Sequence, residues 1–210
     1  MIPAFWPSYF FPPQYEADWH VHLHGAAMFS WVALLVAQAW LVRRHRPWHR
    51  KLGKVSFAVV PLIVVSTLLL AHHRMRGGLN ADLVYFFYVQ LALVALLATS
   101  YALAIANRRT PAVHARYMVC TALAIVDPIV ARLLFTWFAI DWPQAQVVTF
   151  ALVDGVLLLL MARDIANRFP RPVFPRMLAL FLVAQAPTFF VYDTAGWKSF
   201  VAAFAALPLP

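Results

Sequence analysis

Long apolar runs separated by short polar segments dominate the pattern along this chain of 210 residues. An α-helix needs roughly 20 predominantly apolar residues to cross the hydrocarbon core of a bilayer. Six runs approach that length, and we expect each of them to form a transmembrane helix. They are 21–42, 53–70, 81–106, 115–140, 146–162 and 177–192. The pattern therefore predicts an all-α membrane protein, a bundle of about six transmembrane helices.

The two ends of the chain depart from this pattern. Residues 1–20 are rich in aromatic residues and proline and lack a basic start followed by an apolar core, so we expect no cleavable signal peptide. Amphipathic rings favour the membrane interface, and we place this segment there, on the periplasmic side. Residues 21–196 form the transmembrane bundle, and the apolar tail 197–210 is too short to span a membrane alone. The tail is interfacial, re-entrant or a continuation of a sixth helix kinked at Pro187.

The basic residues segregate to one end of the predicted helices. Of the 17 lysines and arginines, 13 fall in the loops between helices 1 and 2, 3 and 4, and 5 and 6. Positive charge marks the cytoplasmic loops of membrane proteins. We therefore predict a multi-pass protein of the bacterial inner membrane with its N-terminus in the periplasm. The formal charge of +9 follows from this topology and does not indicate nucleic acid.

Composition supports the membrane assignment. The chain is 63% hydrophobic and 12% charged, whereas an average soluble domain is about 45–50% apolar and about 25% charged. A bilayer interior penalises charge, and a water-soluble surface requires it. The single cysteine, Cys120, excludes a disulfide framework within one chain.

Five of the eight histidines cluster at the predicted periplasmic ends of helices 1 and 2: His20, His22, His24, His72 and His73. Neutral imidazole binds copper, zinc and iron, including haem iron. Because helices 1 and 2 are joined by a short loop, they should pack antiparallel, and we expect His24 to meet His72 or His73 at one membrane level. Two facing histidines would ligate a haem, whereas three or more, with His20 and His22, suit a copper or zinc ion. The alternative is that these side chains only cap helix ends and meet lipid headgroups.

Two further histidines, His49 and His114, lie at the start of predicted helices on the cytoplasmic side. One interpretation is a second pair of haem ligands, with Arg50 or Arg116 available to the haem propionates. The other is that both histidines belong to the ordinary excess of positive residues in cytoplasmic loops.

Charged residues also occur inside the predicted helices. Asp127 and Asp154 lie near mid-depth, and Arg132 lies just over one turn from Asp127. An uncompensated charge at that depth costs roughly 2.5–3.5 kcal/mol on insertion scales. We therefore expect Arg132 to pair with one or both carboxylates in a buried charge network. The alternatives are a proton path, a metal site with oxygen ligands, or a membrane enzyme that uses the two carboxylates.

The sequence around the histidines resembles a known group of proteins. A helix that opens with His24 leads through a basic turn to His-Arg-x-Leu-Gly at 49–53 and to a histidine just before Gly-Gly at 77–78. The stretch 111–132 adds Pro-x-x-His-x-Arg-x-Met. These elements resemble small bacterial multi-pass membrane proteins of unknown function, including the CtaM/YozB-type cytochrome oxidase maturation factors. In that group the His-x-x-x-Met helix comes first in the chain, whereas here it follows the His-Arg-x-Leu-Gly helix.

The resemblance implies a cofactor, haem b or copper, carried by His24, His49, His73 (or His72) and His114. The functional hypothesis is a membrane protein that binds haem b or copper through histidines at helix ends and serves electron transfer or respiratory-complex maturation. The alternative is a non-catalytic accessory subunit of a larger respiratory or photosynthetic membrane complex. Either protein has the lipid bilayer as a partner and binds no nucleic acid.

Overall fold

The computed structural model describes residues 18–210, in which the regular secondary structure is helical and no β-strand occurs. The predicted aromatic segment 1–20 lies almost wholly outside the described residues. Two 3₁₀ turns, Ala186–Phe189 and Val191–Asp193, link α7 to α8. The α-helices are α1 (Trp19–Arg44), α2 (Arg46–Gly53), α3 (Ser56–Met75), α4 (Ala81–Ala106), α5 (Pro111–Phe138), α6 (Trp142–Ala166), α7 (Val173–Gln185) and α8 (Ala195–Ala205).

Within the described residues, six helical segments are long and apolar enough to span a membrane. In a bilayer a helix satisfies its own backbone hydrogen bonds, which is why apolar runs of this length become helices. The predicted all-α class with about six membrane-length helices is confirmed. The segments are Trp19–Arg44, Arg46–Met75, Ala81–Ala106, Pro111–Phe138, Trp142–Ala166 and Val173–Asp193.

Exposed tryptophans mark both ends of α1. Trp19 is 50% exposed and Trp40 is 59% exposed. They are 21 residues apart, which corresponds to about 31 Å along a helix and matches a hydrocarbon core of about 30 Å. Tryptophan favours the two membrane–water interfaces. The spacing therefore indicates that α1 crosses the bilayer, with Asp18 at one surface and the 43–54 turn at the other.

The described residues form two compact units. One unit contains 18–90 and 190–210, in which α1 packs against α3 and α8 packs against the start of α4. There the ring of Phe87, 1% exposed, stacks on Phe204 with centroids 4.6 Å apart. The other unit contains 91–189, in which α5, α6 and α7 pack on one another around buried residues such as Leu157 and Phe181.

The basic turn between the first two predicted spans contains a helix of its own, α2, which the sequence analysis did not predict. His49 Nδ1 donates to the carbonyl oxygen of Gln38 at 3.3 Å, and Gly53 lies beside the Gln38 side chain. Gln38 precedes Val42, the predicted end of helix 1, by four residues. Gly53, the predicted start of helix 2, therefore lies level with Gln38 of α1, about one helical turn before Val42.

The apolar tail forms a separate helix. The α7 helix ends at Gln185, two residues before Pro187, because proline has no backbone N–H to continue the α-helical hydrogen bonds. The α8 helix starts afresh at Thr194, whose hydroxyl accepts a hydrogen bond from the Trp197 backbone N–H at 3.3 Å. Trp197 Nε1 then donates to the Val84 carbonyl at 3.0 Å and fixes α8 to α4.

Candidate metal centre

Asp18, His20 and His73 converge where α1 begins and α3 ends. One ligand atom from each lies within 4.8 Å of the other two. His20 Nδ1 hydrogen-bonds to Asp18 Oδ1, and His73 Nε2 lies 3.5 Å from Asp18 Oδ2. The two imidazole rings stack with their centroids 4.4 Å apart. Two imidazole nitrogens and a carboxylate oxygen form a donor set typical of zinc or copper(II).

The start of α1 fixes Asp18. Asp18 is the N-cap residue, and its carboxylate accepts a hydrogen bond from the His20 backbone N–H at 2.9 Å. Aspartate favours this position because it satisfies a backbone donor that the helix leaves unpaired. This backbone hydrogen bond, with a second one from the His20 side chain, holds the pKa of Asp18 below its usual value. Asp18 is therefore an anionic carboxylate at neutral pH and attracts a cation to the cluster.

His20 is 2% exposed, and both of its ring nitrogens face oxygen acceptors. Nδ1 faces Asp18, and Nε2 lies 3.1 Å from the backbone oxygen of Pro210. A neutral imidazole has only one N–H, so it donates to one acceptor and directs a lone pair at the other. The ring nitrogen that carries the lone pair is a potential metal ligand.

His72 is 1% exposed and lies beside the cluster. Its Nε2 donates to the Leu207 carbonyl at 2.8 Å, so Nδ1 carries the lone pair. Within the part of the chain that the structure describes, this Nδ1 has no hydrogen-bond partner. Residues 207–210 thus provide backbone acceptors to both His20 and His72. Carbonyl acceptors of this kind fix the tautomer and orientation of imidazole ligands in metalloproteins.

The structure places His24 away from this cluster. Its Nδ1 lies 3.3 Å from Ser66 Oγ and 3.4 Å from Thr67 Oγ1. Along α3, Ser66 and Thr67 lie about 9–10.5 Å before His73. A contact of His24 with His72 or His73 stays a prediction, whereas His20, one turn earlier on α1, is the histidine that stacks on His73. His22, the remaining predicted ligand of this group, is exposed.

The two histidines that the sequence predicts on the cytoplasmic side link helix starts to preceding helices. His49 donates to the Gln38 carbonyl, and His114 Nδ1 donates to the Ala104 carbonyl at 2.8 Å. These two histidines belong to different compact units. Their role as a pair of haem ligands stays a prediction.

Arg116, which the sequence suggested for haem propionates, has a protein partner instead. Its Nε and Nη2 donate to the two carboxylate oxygens of Asp164 at 2.7 and 2.6 Å. The guanidinium also lies over the Phe169 ring, with Cζ 3.4 Å from the centroid. This bidentate geometry is the strong form of an arginine–carboxylate pair. The expectation that Arg116 is available to a cofactor is therefore wrong.

The carboxylates inside the membrane-length helices accept hydrogen bonds from glutamines. Gln146 Nε2 donates to Asp127 at 2.9 Å, and Gln185 Nε2 donates to Asp154 at 3.2 Å. Both glutamines are buried. Each pair joins two helices of one compact unit, α5 to α6 and α6 to α7. The pairing of Arg132 with these carboxylates stays a prediction.

Asp18 is the member of the candidate metal centre that the sequence did not single out as a ligand. The available signal was the Asp-x-His spacing at 18–20, where an N-cap residue is followed two positions later by a potential ligand. Comparisons with known proteins were also made: no protein-family model, no curated protein and no solved structure matches this chain. Inferences about function therefore depend on the geometry of the site.

Proposed function

We propose that this chain is a multi-pass protein of the bacterial inner membrane that holds a copper or zinc ion through Asp18, His20 and His73. The observation that supports this most directly is the convergence of two imidazoles and a carboxylate within 4.8 Å. Three protein ligands leave a fourth position for water or for a ligand from a partner. The resemblance to CtaM/YozB-type factors suggests the use of such an ion, in electron transfer or in the maturation of a respiratory complex.

The stacking of the rings favours a bare ion over haem b at this cluster. Histidines that ligate one haem from both sides lie on opposite faces of the porphyrin, whereas the His20 and His73 centroids are 4.4 Å apart. Zinc lies about 2.0–2.1 Å from an imidazole nitrogen, so two nitrogens on one ion are at most about 4.2 Å apart. Ligand atoms already within 4.8 Å of one another need only a small closure to bind it.

The orientation of the chain follows from its basic loops. We place the 43–54 turn in the cytoplasm and the metal centre at the periplasmic surface, because positive residues are retained on the cytoplasmic side. In intact cells, a membrane-impermeant maleimide should label a cysteine introduced at Leu79, which is 43% exposed between α3 and α4. A cysteine at Lys51 should react only after the cells are opened, and buried Cys120 should add little background. Labelling of Lys51→Cys in intact cells would show that the orientation is the reverse of the one proposed.

The proposed metal site predicts which histidines the protein needs in order to retain the ion. Purified protein loaded with Cu²⁺ or Zn²⁺ and desalted should hold one ion per chain, measured by elemental analysis. His20→Ala and His73→Ala should each lose most of it, because each removes one of three ligands. His24→Ala should keep it, since His24 contacts Ser66 and Thr67. The electron paramagnetic resonance spectrum of the Cu²⁺ form should show nitrogen couplings that both ligand variants weaken.

His45→Ala is the matched control, because His45 is exposed at the opposite end of α1. Equal metal content in wild type and both ligand variants, all with unchanged helicity by circular dichroism, would refute the site. A Soret band in protein from haem-replete cells would favour haem b. Protein from haem-, copper- and zinc-replete cells that contains none of these would favour the accessory-subunit alternative.

A further inference from the structure

The 43–54 turn, here called the basic turn, carries six cationic side chains in twelve residues and no acidic one. All six are exposed. Within residues 18–210, none of them forms an ion pair with a carboxylate. This concentration of positive charge therefore has no counter-charge in the described part of the protein. The six are Arg43, Arg44, Arg46, Arg50, Lys51 and Lys54.

The α2 helix gives the basic turn a fixed shape. Its half-buried residues, His49, Leu52 and Gly53, share one helical face. The hydrogen bond from His49 to the Gln38 carbonyl fixes that face to α1. On the outward side Arg46 and Arg50 are four residues apart and lie next to each other. The cations are thus displayed by an anchored helix.

Exposed tryptophans place this surface at the level of the lipid headgroups. Trp48 and Trp40 are each 59% exposed, and both lie within or just before the basic turn. Lys51 Nζ lies 5.1 Å from the centre of the Trp48 ring. Indole rings favour the boundary between acyl chains and headgroups, where one part of the ring is apolar and the N–H is hydrated. A cation held against such a ring lies where lipid phosphates lie.

We propose that the basic turn binds the headgroups of anionic phospholipids. Arg46, Arg50 and Lys51 contact phosphate oxygens, and Trp48 packs at the adjoining glycerol and acyl region. Clustered lysines and arginines next to a transmembrane helix attract anionic lipid, each contributing about 1 kcal/mol near the surface. The planar guanidinium also matches phosphate oxygens two at a time. This site is independent of the metal centre at the other end of α1.

The test uses the full chain in nanodiscs of phosphatidylcholine with increasing phosphatidylglycerol. Retained phosphatidylglycerol is counted by native mass spectrometry, and its affinity is measured by titration in mixed micelles. We expect wild type to retain phosphatidylglycerol selectively. The triple variant Arg46→Gln/Arg50→Gln/Lys51→Gln should bind it on the order of 100-fold more weakly, since three such contacts are lost.

The matched control removes the same charge elsewhere, as Arg108→Gln/Arg109→Gln/Arg171→Gln, three exposed positions in the other compact unit. It should retain wild-type affinity. An equal loss in the control would mean that net charge alone attracts the lipid, and wild-type affinity in the first variant would also overturn the site. Inorganic phosphate should not displace the lipid. Displacement at millimolar phosphate would instead identify a site for free phosphate.

Discussion

Replacing Arg116 by leucine should destabilise the protein by about 3 kcal/mol, the lower end of the cost of breaking a buried ion pair from one side, because the Arg116 side chain is 22% exposed. Two short hydrogen bonds join Arg116 to Asp164, and Asp164 is 9% exposed. The variant leaves that carboxylate without its cation, and the Phe169 ring loses the guanidinium that lies over it. The free energy of unfolding can be measured by titrating detergent-solubilised protein with dodecyl sulfate and following helicity.

Arg109→Leu is the matched control, because Arg109 is exposed in the turn just before α5. A surface change of this kind usually stays within about 0.5 kcal/mol. The double variant Arg116→Leu/Asp164→Leu should recover much of the loss, since no charge is then left buried. If Arg116→Leu is no less stable than Arg109→Leu, the pair contributes nothing to the packing of α5 on α6.

The outcome for Arg116 illustrates what a single sequence conceals about side-chain partners. Arg116 lies close to His114, which made a cofactor role reasonable. Its actual partner is 48 positions away on α6, and only the packing of α5 on α6 brings the two together. The same holds for Asp127, for which the sequence predicted Arg132 as a partner and did not indicate Gln146. Apolar runs do not show that the amide of Gln146 donates to this carboxylate.

The membrane-length helices were predictable because a bilayer imposes one solution on each apolar run. The register between α1 and α3 was not predictable from the apolar runs, because it depends on the short helix α2 that connects them. Proline is tolerated in the first turn of a helix, and Pro47 lies in the first turn of α2. In the structure His20 of α1 stacks on His73 of α3, and His24, one turn later on α1, lies beside Ser66 and Thr67. The sequence grouped both histidines at this level and did not show which of them meets His73.

Residues 207–210 show another limit of sequence reasoning. The short tail after α8 contains no chemical motif, and its apolar side chains indicate nothing beyond membrane contact. Its function in the structure depends on backbone oxygens, which accept from His20 and His72. Backbone acceptors are present at every position, so a sequence cannot show which of them meets a ligand imidazole.

Trp31→Ala should be the second strongly destabilising change, by about 3–5 kcal/mol, the usual cost of deleting a buried aromatic side chain. Trp31 is fully buried and lies between Ala27 and Leu34 on the inward face of α1. Helices in a membrane associate through close packing, because lipid is as apolar as the side chains. The cavity therefore removes the contacts that hold α1 in place. The dodecyl sulfate titration used for Arg116 measures the loss.

Trp40→Ala is the control on the same helix, because Trp40 is 59% exposed. A loss as large as that of Trp31→Ala would mean that interfacial anchoring, rather than packing, stabilises α1. The metal centre adds a second test, since its ligands lie on both α1 and α3. Zn²⁺ at about 100 times its dissociation constant should restore about 2.7 kcal/mol to Trp31→Ala. It should restore nothing to Trp31→Ala/His73→Ala, and an equal rise in both variants would place the Zn²⁺ effect outside the proposed centre.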